Sequence, residues 1–202
     1  MTKSSRKITR EASHAQPRTR TSRRAGSAGW WIAGLIGAIA VVSLIFVVYL
    51  PSRPVDLLDG VLSYPNQARD HSEVPQTYAQ NPPVGGVHAS AWQNCGVYDQ
   101  PVRNENAVHS LEHGAVWITY QPDLAADQVD KLRALARGHS HVLVSPYPGL
   151  PKPVVVSAWG LQLPLDSAND SRLSLFVSRY EQGPQTPERG AVCTGGVGTP
   201  IS

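Results

Sequence analysis

Residues 30–50, WWIAGLIGAIAVVSLIFVVYL, carry no charged side chain, and this run limits the possible folds of the chain more than any other feature. About 20 apolar residues in helical conformation span the hydrocarbon core of a bilayer. A water-soluble helix of that length would need a polar face, and none is present here. Trp30, Trp31 and Tyr49 stand at the two ends of the run, where aromatic belts meet the headgroups. One transmembrane helix is therefore expected over 30–50. A cleaved signal peptide is the competing reading, but its apolar region is shorter and ends in small residues, whereas Val48-Tyr49-Leu50-Pro51 follows here. Arg23-Arg24 begins a twin-arginine pattern that Ala25-Gly26-Ser27 does not continue.

Charge sets the orientation. Residues 1–29 hold Lys3, Arg6, Lys7, Arg10, Arg18, Arg20, Arg23 and Arg24 against Glu11 alone. Such a polar, basic segment buries too little surface to fold, so a disordered tail is expected. Lys and Arg stay on the cytoplasmic side of a span, which predicts a single-pass membrane protein with a cytoplasmic N-terminus and an extracytoplasmic C-terminal domain. Taking the tail's +7 from the chain's formal +3 leaves −4 for the rest. The basic balance thus belongs to the tail, whose expected partners are anionic headgroups, with residues 30–50 contacting the lipid bilayer itself. The outer part offers no basic stripe that would read as a nucleic-acid surface.

Beyond the span, residues 51–83 are rich in Pro and polar side chains and lack a sustained period, so they read as a stalk and irregular lead-in. Residues 84–202 suffice for one small domain. Short helices are predicted over 107–113, ending at Gly114, over 127–137 and over 171–182, the last capped by Asn169-Asp170. Strands are predicted over 115–120, 141–145 and 154–161. This order suggests an α+β fold, a small, mostly antiparallel sheet with two helices on one face. Cys95 and Cys193 both lie on the expected outer side, where disulfides persist, and a Cys95–Cys193 bridge is the expected state. A free Cys95 acting as ligand or nucleophile is the alternative.

Residues 82–120 gather three of the seven histidines, one of the two cysteines and two of the five tryptophans. His109 and His113 are four apart and share a face of a helix or of a strand. With His88 they form the candidate metal ligands, and His71 and Glu112 are possible additional ligands. Zn or Cu(II) suits imidazole, whereas Met1 is the only methionine and leaves no thioether site for Cu(I). The alternative is that these histidines simply hydrogen-bond carbonyls and carboxylates within a polar core. His109, Glu112 and His113 also read as H-x-x-E-H, an inverted zinc-protease motif. The immediate Gly114 and β-type run argue against the long rigid helix which that chemistry needs, so no catalytic residue is assigned. His139 and His141 flank Ser140, with the C-terminus of a helix as sufficient reason for His139. No phosphate loop, C-x-x-C or G-x-S-x-G elbow occurs.

Three spaced segments carry a resemblance. They are Pro82-Pro83-Val84-Gly85-Gly86-Val87-His88, Trp92-Gln93-Asn94-Cys95-Gly96-Val97-Tyr98, and His109-Ser110-Leu111-Glu112-His113-Gly114 followed by a strand ending at Tyr120. In this the chain resembles the bacterial family called domain of unknown function 3105, over roughly residues 64–180. The resemblance fits a single-span anchor and implies no activity. The expected function is divalent-metal binding through the clustered histidines, with a metal-free cell-envelope interaction module as alternative and a metal-dependent hydrolase behind it.

Overall fold

The computed structural model describes residues 58–201, together with Val42. The basic tail and, apart from Val42, the apolar run lie outside the described residues. Among the described residues no helix is long and apolar enough to cross a membrane.

Strands β3 (Val116–Tyr120), β4 (Val142–Pro146) and β5 (Val154–Ala158) form the centre of a sheet, and every residue in them is buried. Helix α2 (Ala126–Ala136) lies between β3 and β4 in sequence. A crossover of this kind returns the chain in the same direction, which is why β3 and β4 pair in parallel. Strand β6 (Leu161–Leu165) pairs antiparallel with β5, which pairs antiparallel with β3. Two-residue edge strands complete the described sheet: β1 (Leu62–Ser63), antiparallel to β6, and β2 (Gly96–Val97), parallel to β4. The order is β1-β6-β5-β3-β4-β2.

The sheet is therefore mixed: three of its five pairings are antiparallel, the majority expected, while β3–β4 and β4–β2 are parallel. The α+β class holds, but the predicted strand over 154–161 ends as β5 at Ala158, and Trp159-Gly160, with Gly160 at φ +68°, turns the chain into β6, which is not among the predicted strands. Trp159 and Leu161 are apolar, so hydropathy carried the predicted strand through the turn.

Two layers cover the two faces. On one, Leu132 and Ala136 of α2 and Leu173, Phe176 and Val177 of α3 (Ser171–Tyr180) pack with Val116, Ile118, Val144, Val154 and Val156. These are the two helices expected on one face. The third described helix, α1 (Asn104–Glu112), lies on the opposite face. Its Ala107, Val108 and Leu111 pack with Trp117, Leu143 and Trp159. Alternation along β3 sends Ile118 to the first layer and Trp117 to the second. The buried polar side chains of β3 are satisfied: Trp117 Nε1 donates to Ser145 Oγ at 3.0 Å and Thr119 Oγ1 to the Val155 carbonyl at 2.9 Å.

The lead-in is more than a stalk from residue 58 onward. Leu58 is buried in the core, β1 joins the sheet, and the His71 and His88 backbones form a parallel bridge. At the other end, Cys95 and Cys193 form a disulfide with Cα atoms 5.4 Å apart, and Cys95 N–H donates to the Cys193 carbonyl at 2.8 Å. The C-terminal segment is thereby held against the start of β2.

Two outcomes are expected in urea unfolding. At the N-terminus of α3, Asp170 accepts from Arg172 N–H at 2.9 Å, and its contact with the Arg172 side chain holds its pKa below the usual carboxylate value. Asp170→Ala is expected to cost about 1 kcal/mol, the usual worth of such a cap. This loss should diminish as pH falls through the depressed folded pKa, where protonation removes the contribution in the wild type as well. Joint Cys95→Ser and Cys193→Ser substitution, which opens a loop with a sequence separation of 98, is expected to cost about 2–5 kcal/mol.

Candidate metal centre

Helix α1 carries two stripes. While Ala107, Val108 and Leu111 face the sheet, His109 and Glu112 meet the loops laid over the helix, together with His113 at its C-cap. Spacings of three and four place these side chains one turn apart on a single face. Gly114, at φ +95°, then turns the chain into β3, and a Cβ there would lie 2.7 Å from Gln182 Nε2 and 2.9 Å from Thr186 Cγ2.

The loop layer supplies the remaining groups. Gly85 and Gly86, at φ +158° and +107°, turn the chain just before His88, and a Cβ on Gly85 would meet Gln67 Cγ at 2.6 Å. His88 is fully buried, its backbone N–H donating to the Asp70 carbonyl at 3.0 Å and its carbonyl accepting from Ser72 N–H at 2.7 Å. This bridge sets His71 beside His88, the two rings meeting edge-on with centroids 4.8 Å apart. The His71 and His109 rings stack at 4.9 Å.

Three imidazoles give one nitrogen each to a backbone carbonyl. His88 Nδ1 lies 2.7 Å from the Gly86 oxygen, His109 Nδ1 2.7 Å from that of Ala89, and His113 Nδ1 2.8 Å from that of Val192. A carbonyl only accepts, so each Nδ1 carries the hydrogen and each neutral ring keeps its lone pair on Nε2. Those Nε2 atoms converge. His88 Nε2 lies 3.0 Å from Glu112 Oε2, and His109 Nε2 lies 3.0 Å from His113 Nε2. Donor atoms of His71, His88, His109 and Glu112 all lie within 4.8 Å of one another, the spacing of a group that can hold one metal ion.

Glu112 is buried, and Arg69 Nε donates to its Oε1 at 2.6 Å. The other oxygen, Oε2, faces His88 and stands 4.0 Å from His71 Nε2. Burial lowers the pKa of His109 below the usual 6.5; the Ala89 carbonyl opposes this in part, and the nearby His113, His88 and His71 add to the lowering. A neutral ring is the form that ligates metal. Trp92 walls the group, its ring 4.8 Å from that of His113 and 5.8 Å from that of His109.

His88 and His109 thus meet as the sequence suggested, and the additional candidates His71 and Glu112 join them. His113 lies to one side, against His109, and is not among those four mutually close residues. Cys95 is in the disulfide, so it is no ligand. His139 and His141 are elsewhere, His139 Nδ1 pairing with Glu181 Oε2 at 2.5 Å and His141 Nε2 with the Ala191 carbonyl at 2.9 Å. Sequence reasoning missed Arg69 and Glu188. Glu188 Oε2 stands 3.5 Å from His113 Nε2, and Glu188 Oε1 accepts from Arg69 at 3.3 Å. Neither residue belongs to a spaced motif; only folding of the lead-in and the C-terminal segment brings them in.

No curated protein and no solved structure matches the chain. The family model that does match covers residues 71–195, more than half of the chain, beginning at His71 and extending past Cys193. The chain therefore belongs to the family described as Protein of unknown function (DUF3105).

Proposed function

We propose that the chain is a membrane-tethered extracytoplasmic protein that binds a divalent transition-metal ion through His71, His88, His109 and Glu112. Zinc and copper(II) suit this nitrogen and oxygen donor set. One observation carries the reading: the contact at 3.0 Å between His88 Nε2 and Glu112 Oε2, with Nδ1 of the ring already committed to Gly86. In the neutral ring this sets a lone pair against a carboxylate oxygen, an arrangement that a metal ion between or beside them relieves, as a proton shared between the two atoms also would. Around zinc, with bonds of about 2.0–2.1 Å, tetrahedral donors sit about 3.3 Å apart. The carbonyls behind the rings supply the outer hydrogen bonds that orient metal-binding histidines.

Tethering rests on the uncharged run 30–50 and the basic flank before it, with the bilayer and anionic headgroups as partners. A disulfide suits an oxidising compartment outside the cytoplasm. The hydrolase reading is weaker because Glu112 is held by Arg69 through one oxygen and faces His88 with the other. It is a ligand, not a free base.

The full-length chain in detergent, loaded with Zn(II) or Cu(II) and then dialysed, is expected to retain stoichiometric metal on elemental analysis. Joint His88→Ala and His109→Ala substitution should abolish retention, and a metal-free wild type would end the proposal. Acid should release the ion. The pKa of His109 is depressed in the fold, so the unfolded chain takes up this proton first, and below about 6.5 both the stability of the metal-free protein and its metal affinity should fall. For topology, protease added outside protoplasts is expected to remove the C-terminal domain and spare the basic tail. Protection of the domain would refute the orientation.

A further inference from the structure

We propose that the cluster holds a second divalent cation, ligated by His109, His113 and Glu188, beside one ligated by His71, His88 and Glu112. The proposal rests on the metal-binding reading and extends it to a paired centre.

The arrangement around Arg69 points to it. Arg69 Nε donates to Glu112 Oε1 at 2.6 Å, and its terminal nitrogen donates to Glu188 Oε1 at 3.3 Å. One guanidinium therefore takes the Oε1 of both carboxylates and leaves both Oε2 atoms for imidazoles. Glu112 Oε2 faces His88 Nε2 at 3.0 Å, and Glu188 Oε2 faces His113 Nε2 at 3.5 Å. On each side a carboxylate oxygen thus meets an Nε2 whose ring has given Nδ1–H to a backbone carbonyl, Gly86 for His88 and Val192 for His113.

The remaining imidazoles complete two like sets. His71 Nε2 stands 4.0 Å from Glu112 Oε2 on the first side, and His109 Nε2 stands 3.0 Å from His113 Nε2 on the second. Each set then has two histidines and one carboxylate, a donor combination well known to leave open positions on a transition metal. Burial follows the same pattern. His88 and Glu112 are buried while the His71 side chain is 48% exposed; His109 and His113 are buried while that of Glu188 is 45% exposed. Each set therefore has one donor in solvent through which an ion can arrive.

His109 has a single free lone pair and serves one ion at a time. With one ion bound it completes the group of His71, His88 and Glu112; with two bound it passes to His113 and Glu188. The second ion costs the first set a ligand and adds like charge, so it binds more weakly. The positive excess over the two carboxylates is met by hydroxide or an oxyanion bridging the pair, as in two-metal sites.

The test is titration of the metal-free full-length chain in detergent with Zn(II) against a chromophoric chelator, with elemental analysis at saturation. Two steps and two ions per chain are expected. Glu188→Gln keeps size and polarity on a half-exposed side chain and is expected to weaken the second step by roughly tenfold or more, leaving one ion. His113→Ala should do the same, and unfolding midpoints checked for both variants separate ligand loss from misfolding. A wild type that saturates at one ion overturns the second position but leaves the first intact. So does a folded Glu188→Gln protein that keeps both steps. A wild type that binds none overturns the metal reading on which this proposal stands.

Discussion

The site depends on three backbone carbonyls that accept an imidazole Nδ1–H: Gly86 for His88, Ala89 for His109 and Val192 for His113. Without them each ring could choose either tautomer and rotate toward solvent. With them the hydrogens point outward and the Nε2 lone pairs point inward, the outer-shell arrangement that orients metal-binding histidines. Each carbonyl is itself fixed by the fold. Gly86 sits in a turn that Gly85 and Gly86 enter at positive φ. Ala89 is tied to α1 by its N–H to the Glu105 carbonyl at 3.3 Å, and Val192 precedes Cys193 of the disulfide. The disulfide is thus part of the site's geometry, since it anchors the segment that orients His113 and carries Glu188.

Helix α1 connects core and site. It is short, nine residues, and almost wholly buried, because the sheet takes one stripe and the loops take the other. A helix of this length has little stability alone. Its order comes from Ala107, Val108 and Leu111 seated on Trp117 and Leu143, and the position of His109 and Glu112 follows from that seating. The loops close over it through specific bonds: Ser110 Oγ donates to the Gln93 carbonyl at 2.7 Å, and Asn106 Nδ2 to that of Ala91 at 2.6 Å. Packing on one side and hydrogen bonds on the other hold the donors without any rigid contribution from their own segment.

Local chemistry was legible in the sequence and distant pairing was not. Gly114 as helix stop, Asp170 as cap, and the stripe of Leu173, Phe176 and Val177 follow from residue type and short spacing, and the Cys95–Cys193 bridge, 98 residues apart, from there being just two cysteines in the chain; the structure has each. The parallel pairing of β3 with β4 was not legible, because strand direction depends on where the crossover helix packs. Nor was the β5–β6 turn, since Ala158-Trp159-Gly160-Leu161 contains no polar turn residue. The site divided along the same line. His109, Glu112 and His113 announce themselves by spacing on one helix, and His88 by its neighbourhood. His71 sits in a segment with no periodicity, and Glu188 is separated from His113 by most of the domain. Both donors arrive through tertiary contacts that no pattern encodes: the backbone bridge of His71 to His88, and the Glu188 N–H to Glu112 carbonyl bond at 3.1 Å.

Arg69 explains why a carboxylate as buried as Glu112 is stable in this place. A desolvated charge needs an opposite charge and hydrogen bonds for both oxygens. Arg69 provides them for Oε1 only, reaching in from a half-exposed position. Oε2 is left facing His88 Nε2 at 3.0 Å, where a bound cation would satisfy both atoms. The same guanidinium also holds Glu188 at the rim. It keeps the two carboxylates in place while occupying only one oxygen of each, and because it contributes no acceptor it cannot compete with them for metal. The arginine therefore fixes both carboxylates through Oε1 and leaves each Oε2 facing an imidazole Nε2, Glu112 toward His88 and Glu188 toward His113, which is the arrangement the proposed metal binding uses.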